Sequence, residues 1–390
     1  MINFEFISPT KIYFGKDVVD NNLSKELKER KYQRCLLVYG KSSIFKMGLY
    51  DKVINILKDD NIQCWELGGV EANPKIELVR KGVEIIDKHD IDIILAVGGG
   101  SVIDTAKLIG VSKDIDFDPF EFNLGNKKPS KSIDVFTILT ISAAGSELSN
   151  SCVISNDELK LKRGFNSDLI RPKVSFLDPT LTYSVSKYQT ACGIVDILMH
   201  TLERYIVLDE SEITHNMAEG LMRTVIQMGP IAYNDPTNYD ARSNLMLASS
   251  LSHNGLTSLG VKMFFTVHKL EHELSGFYPE VAHGAGLAIL WPAWARYVVN
   301  KFPEKFAKLA HNVLNIEKTD DLLFDALKGI DYLEKFFKSI GMPTRLRDLN
   351  IDSFDYDGMA LSATSNKTKK VLGIIDLDYN DIVNIYKMSY

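Results

Sequence analysis

Short, nearly uninterrupted apolar runs separated by stretches of helical periodicity make up the first half of the chain. Arg34-Cys-Leu-Leu-Val-Tyr-Gly40, Ile62-Gln-Cys-Trp-Glu-Leu67, Asp92-Ile-Ile-Leu-Ala-Val97, Val135-Phe-Thr-Ile-Leu-Thr140 and Lys173-Val-Ser-Phe-Leu-Asp178 have the length and continuity of strands buried on both faces. Between them, residues Asp51 to Lys58, Lys75 to Lys88 and Val102 to Ile109 read as helices, the second opening just after Asn73-Pro74. Strand and helix in alternation predict right-handed crossovers and a parallel sheet. Two shorter strands are expected around Cys152-Val-Ile-Ser and Leu159-Lys-Leu-Lys. At the start, residues 2 to 15 alternate apolar and polar around Pro9 and Thr10, which predicts a hairpin. After about residue 184 the pattern changes to long periodic helices, so the expected division is an α/β domain over 1–183 and an all-α domain over 184–390.

Composition narrows the classes. A chain of 390 residues with 45% hydrophobic and 25% charged content is a soluble globular protein with room for two cores. Its net charge of −6, without a basic stripe, argues against a nucleic-acid partner. No basic segment followed by a long apolar one opens the chain, and no run approaches the roughly 20 apolar residues that span a bilayer. Cys35, Cys64, Cys152 and Cys192 lie in apolar runs without zinc-ribbon spacing, as buried thiols of a reducing compartment do. A cytoplasmic protein with no membrane partner is expected.

Chemistry enters at two loops. Gly98, Gly99, Gly100 and Ser101 join a strand end to a helix start, where glycines let the backbone approach a pyrophosphate and helix amides attract its charge. The spaced G-x-G-x-x-G fingerprint is absent, yet the setting makes the first half a Rossmann-like dinucleotide-binding domain. Asp104, on the helix that follows, either favours the helix dipole or sits near the nicotinamide end of the dinucleotide. Gly40, Lys41, Ser42 and Ser43 follow the first main strand, where adenine-ribose recognition falls in such folds. With a lysine and two hydroxyls and no acid in that loop, NADP(H) is favoured over NAD(H).

The helical half carries the second chemistry. Asp196 and His200 lie four apart inside the apolar run Cys192 to Tyr205, and so share one helix face. His268 and His272 are again four apart, and His283 follows in Val-Ala-His-Gly-Ala-Gly. Asp196 with three of these four histidines makes a metal site of oxygen and nitrogen donors suited to Zn²⁺ or Fe²⁺.

Ala96-Val-Gly-Gly-Gly-Ser-Val-Ile-Asp-Thr-Ala-Lys107, Phe176-Leu-Asp-Pro179, Gly193-Ile-Val-Asp-Ile-Leu-Met-His-Thr-Leu-Glu203, His268-Lys-Leu-Glu-His-Glu-Leu-Ser275 and His283-Gly284 together resemble the iron-containing, group III alcohol dehydrogenase family. Gly-Ile-Val-Asp and His-Glu-Leu-Ser are most similar to its NADPH-dependent butanol dehydrogenase and broad aldehyde reductase branch. The resemblance implies one metal held by Asp196, His200, His268 and His283, with His272 beside the nicotinamide. It implies cofactor contacts from Gly98 to Ser101, Asp104, Thr140, Ser146 and Lys162, with Asn73 near the adenosine or diphosphate. A homodimer through the N-terminal strand region is implied as well. The chain departs from the family at Ala144, where Thr is usual, and in a His272 to His283 spacing one residue longer.

The expected activity is hydride transfer between NAD(P)H and short- to medium-chain aliphatic aldehydes or primary alcohols, with His272 relaying the proton; Phe277, Tyr278, Trp291 and Trp294 suggest a pocket for such chains, and core packing explains them equally well. The competing readings are an NAD-dependent glycerol dehydrogenase, a dehydroquinate synthase-like lyase, and a catalytically silent metal- and nucleotide-binding protein. The lyase requires basic residues for an acidic phosphate substrate, and few lie between residues 184 and 300.

Overall fold

The computed structural model describes residues 1–390. The chain forms two compact units, one of Ile7–Val185 with Asp235–Asn254 and the other of Met1–Phe6, Ser186–Asn234 and Gly255–Tyr390.

The α/β unit contains strands β1 (Lys11–Phe14), β2 (Arg34–Tyr39), β3 (Gln63–Leu67), β4 (Ile93–Gly98), β5 (Asp134–Leu139), β6 (Ser151–Asn156), β7 (Leu161–Asn166) and β8 (Val174–Leu177). Helices α1 (Val18–Glu29), α2 (Ser43–Lys46), α3 (Leu49–Asp59), α4 (Ile76–His89), α5 (Gly100–Val111) and α6 (Phe120–Asn123) connect them. Six strands form one sheet in the order β1-β8-β5-β4-β2-β3, every pair parallel. The continuous apolar runs follow from this arrangement, because the sheet is covered on both sides. Leu36, Val38, Ile94 and Ala96 pack with α4 and α5, while Cys35, Leu37, Ile93, Leu95 and Val97 pack with α1 and α3. The central position of β4, all six of its residues buried, delivers Gly98 and α5 to the carboxyl edge. There Thr140 donates its amide to the Gly98 carbonyl at 3.1 Å.

One expectation fails at the amino end. Residues 2 to 15 do not form a hairpin: only Lys11–Phe14 is a strand, and it pairs parallel with β8, Lys11 opposite Val174. Alternation reports a half-buried strand but not its partner, and Pro9 has no amide to give an antiparallel ladder. The two short strands β6 and β7 pair antiparallel with each other and form a separate two-stranded sheet.

The helical unit is built from α7 (Lys187–Tyr205) and α8 (Glu212–Asn234), and from α10 (Thr266–Phe277), α11 (His283–Val298), α12 (Pro303–Asn312), α13 (Leu322–Ser339), α14 (Tyr356–Ala363) and α15 (Tyr379–Met388). Helix α9 (Tyr239–His253) belongs to the α/β unit, where Ser250 donates to Glu147 at 2.5 Å. The units divide the chain between Val185 and Ser186, with α9 grouped in the α/β unit and Met1–Phe6 in the helical one. Helix α7 is capped by Ser186, which accepts from the Gln189 amide at 3.2 Å, and is buried from Thr190 to Tyr205. Each buried aliphatic side chain in that run stabilises the unit by about 1.5–3 kcal/mol, which offsets the cost of carrying Asp196 and His200 inside. No helix is long and apolar enough to cross a membrane.

Candidate metal centre and cofactor loops

Asp196 is the point on which the histidines converge. One turn along α7, His200 brings Nδ1 to 3.3 Å from Asp196 Oδ1. From α10, His268 Nε2 comes to 3.6 Å of the same oxygen, and from the first residue of α11 His283 Nε2 comes to 3.7 Å. The donor atoms of Asp196, His268 and His283 all lie within 4.8 Å of one another. His200 adjoins this set, its ring centre 4.6 Å from that of His268. His272 lies outside it, half-buried, with its ring 5.7 Å from that of His283. Glycine makes the approach of α11 possible: a Cβ on Gly284 would fall 2.3 Å from the Cys192 carbonyl oxygen on α7.

The residues fit a divalent cation. Asp196 Oδ1 and His268 Nε2 are buried and make no hydrogen bond, a costly arrangement unless a cation completes it. Two further buried carboxylates touch the ligand side chains, Glu203 at His268 Nδ1 and Glu271 at His283 Nδ1. Against these three negative groups the neighbourhood offers one buried guanidinium, Arg204, which donates to the His200 carbonyl at 2.7 Å and lies 4.5 Å over the Phe265 ring. Buried carboxylates gathered around histidine donors are a setting that a divalent ion stabilises. Burial alone would lower the His268 imidazolium, but Glu203 and Asp196 outweigh it and raise the group to about 9. Burial lowers Arg204 to about 9, with Glu203 opposing the shift.

Glu203 and Glu271 were not among the expected site residues. Helical spacing gives the only signal for them, since Glu203 follows His200 by three residues and Glu271 follows His268 by three. Trp291 and Trp294, read as pocket or core residues, are core residues of α11. Trp291 packs edge-on to Phe337 and Trp294 packs against Phe306. Phe277 and Tyr278 are half-buried at the end of α10, and the Tyr278 hydroxyl accepts from the Asp355 amide at 2.7 Å.

In the α/β unit, Gly99 caps α5 and Gly100 is its first residue, so the amides of Gly100 and Ser101 open at the strand end, while the Val102 amide already donates to the Gly99 carbonyl at 3.0 Å. A Cβ on Gly100 would meet Ala144 Cβ at 3.0 Å, which puts Ala144 directly against the glycine turn. Both Asp104 oxygens are engaged, Oδ1 with the Ser146 hydroxyl at 2.5 Å and Oδ2 with the Val153 amide at 2.9 Å. Loss of water raises its carboxyl, against the pull of Lys107, Ser146, Val153 and Lys162. Asp104 therefore ties α5 to Ser146 and β6. Lys107, fully buried one turn on, donates to the Ser146 hydroxyl at 2.9 Å and to the Ser149 and Ser151 carbonyls at 3.0 and 2.9 Å. Lys162 is buried on β7. Asn73 is buried with a positive φ of 56°, in a loop joined to β6 by the Ser155 amide bond to the Pro74 carbonyl at 2.8 Å.

The loop expected at the adenosine end has a neighbour that the sequence did not reveal. Gly40 follows β2, Ser42 caps α2 and Ser43 begins it, and Lys41 is exposed. Lys41 pairs with Glu71 at 2.6 Å, and the lysine lowers the Glu71 carboxyl. The acid missing from the loop itself arrives from the connection after β3, because β3 is the neighbour of β2 in the sheet.

Comparisons with known proteins place the chain in a family. Residues 9–179 match the family described as iron-containing alcohol dehydrogenase, and residues 190–390 match the Fe-containing alcohol dehydrogenase family C-terminal region. The chain is 41% identical to NADH-dependent butanol dehydrogenase A of Clostridium acetobutylicum, with all of both chains covered. It is 35% identical to the NADPH-dependent aldehyde reductase YqhD of Escherichia coli over 90% of each. The crystal structure of an NADH-dependent butanol dehydrogenase A from Thermotoga maritima superposes with a TM-score of 0.95 at 34% identity, covering 100% of this chain and 99% of that one. Fold, donor set and full-length similarity lead to one assignment: the chain belongs to the iron-containing alcohol dehydrogenase family.

Proposed function

We propose that the protein transfers hydride between NAD(P)H and short- to medium-chain aliphatic aldehydes or primary alcohols, with butyraldehyde and butanol as representative substrates. The observation that carries this reading is the unsatisfied pair of Asp196 Oδ1 and His268 Nε2 at the convergence of three ligand-type side chains. Asp196, His200, His268 and His283 would hold the metal. When bound, Fe²⁺ or Zn²⁺ supplies Lewis acidity toward an aldehyde or alcohol oxygen. The amides of Gly100 and Ser101 receive the diphosphate, and Thr140, Ser146, Lys162 and Asn73 complete the dinucleotide contacts. Asp104 acts by keeping Ser146 in place. His272, outside the donor set, has the chemistry to carry a proton to or from the substrate oxygen.

The test is NADPH and NADH oxidation with butyraldehyde by metal-stripped protein, before and after addition of Fe²⁺ or Zn²⁺. Metal-dependent turnover is expected, and turnover that is equal with and without metal contradicts the reading. In the same assay His272→Ala should retain metal and lose about a hundredfold in rate, the lower end of a general acid's contribution. An unchanged rate and pH profile would remove the relay role.

Lys41 with Ser42 and Ser43 supports NADPH as the preferred cofactor. The Lys41–Glu71 pair favours a second reading, NADH, because a carboxylate beside the ribose accepts its 2′-hydroxyl and repels a 2′-phosphate. Glu71→Gln separates the two. If the pair selects NADH, the ratio of kcat/KM for NADPH over NADH rises about tenfold, roughly 1.4 kcal/mol; if it stays constant, Glu71 takes no part in the choice.

A homodimer through the N-terminal strand belongs to the same reading. In its support, β1 is an edge strand that exposes Ile12 and Phe14. Sedimentation equilibrium distinguishes one chain from two. The cytoplasmic placement rests on the sequence.

A further inference from the structure

We propose that Glu203 and Glu271 are positioning residues of the metal centre, each holding the Nδ1–H of one ligand histidine so that Nε2 is presented toward Asp196. The inference rests on the metal reading above and adds residues to it. A neutral imidazole carries one proton on two nitrogens, and a carboxylate beside Nδ1 keeps that proton there and leaves the Nε2 lone pair for the ion. His268 and His283 both show this polarity, with Nδ1 on a glutamate and Nε2 toward Asp196 Oδ1 at 3.6 and 3.7 Å.

Each glutamate is held by more than its histidine. Glu203, on α7 one turn beyond His200, also accepts the amides of Val267 and His268 at 2.6 and 3.2 Å. These belong to the first turn of α10, whose amides have no partner within the helix. One carboxylate therefore sets both the start of α10 and the ring it carries. Glu271 stands on α10 and reaches His283 on α11, while Ser275, one turn along, donates its hydroxyl to Glu271 Oε1. On the opposite side a Cβ at Gly286 would lie 2.8 Å from Glu271 Cγ and 3.1 Å from Oε1. Helix α11 thus leaves out a side chain where Glu271 lies.

The test uses full-length protein stripped of metal and titrated with Co²⁺, whose visible absorption reports coordination number and geometry. One Co²⁺ per chain is expected for the unmodified protein. Glu203→Gln and Glu271→Gln should each bind about 10- to 100-fold more weakly, with an altered visible band, and Glu271→Asp should recover part of both. Thermal unfolding of the metal-free variants establishes that they are folded. If Glu271→Gln does not fold, Ser275→Ala, which removes the hydroxyl that steadies Glu271, should show a smaller weakening with the same change in the band. Unmodified affinity and spectrum in both Gln variants would overturn the proposal. So would a second Co²⁺ per chain that Glu271→Gln loses, because Glu271, His272 and His283 also lie within 4.8 Å of one another and Glu271 would then be a ligand. Unchanged binding by Asp196→Asn would instead overturn the metal site itself.

Discussion

Asp196→Ala is expected to remove bound Fe²⁺ or Zn²⁺ and to reduce aldehyde reduction by about a thousandfold or more, while leaving the fold intact. Asp196 is the one group within 3.3–3.7 Å of all three histidine nitrogens that face the site. Without its charge, ligands from three helices no longer converge on an anion. Lewis-acid stabilisation of a developing alkoxide contributes several kcal/mol, and each 1.36 kcal/mol is tenfold in rate. The metal-free fold should suffer little, since Asp196 Oδ1 is buried without a hydrogen bond and its removal relieves a desolvation cost. Metal analysis, steady-state kinetics and thermal unfolding check the three parts. Full metal content with an unchanged rate would refute the role of Asp196.

The second large effect is expected in the α/β unit, at Lys107. Its ammonium is fully buried and satisfies the Ser149 and Ser151 carbonyls and the Ser146 hydroxyl at 2.9–3.0 Å. Desolvation lowers its pKa to about 8, with Asp104 opposing the shift. Lys107→Met keeps most of the volume and removes the buried charge, which is favourable, but it strands the Ser149 and Ser151 carbonyls, while the Ser146 hydroxyl keeps its bond to Asp104. At about 1–3 kcal/mol for each unsatisfied group, partly offset by the desolvation no longer incurred, the net loss should be roughly 2–4 kcal/mol. The segment from Ser146 to Ser151 then loses its anchor to α5, so KM for the nicotinamide cofactor should rise by about tenfold while metal content stays unchanged. Denaturant unfolding and cofactor titration measure both effects. Unaltered stability would mean that the serine carbonyls find other partners.

The elements legible in the sequence are those whose burial is symmetric or periodic. β2, β4, β5 and β8 are covered on both faces, so their apolar runs are continuous and self-announcing. Asp196 and His200 stood out because charge inside an apolar helical run requires a reason. Partners distant in sequence were less legible. β1 alternates as a strand should, but its pairing with β8 lies more than 160 residues away. Glu71 comes to Lys41 only because β3 lies beside β2. Trp291 and Trp294 have the size and polarity of pocket residues, and only packing on Phe337 and Phe306 distinguishes them as core. Glu203 and Glu271 carry no signal beyond a spacing of three from a histidine, which many solvated glutamates share.

The central claim is a metal ion held by Asp196, His200, His268 and His283, and anomalous diffraction from crystals grown with Fe²⁺ or Zn²⁺ measures it most directly. Data on either side of the metal absorption edge should place one strong peak bounded by those four side chains, with Glu203 and Glu271 on the far sides of their histidines. A peak instead among Glu271, His272 and His283, or none near Asp196 in protein that binds one metal per chain, would contradict the account.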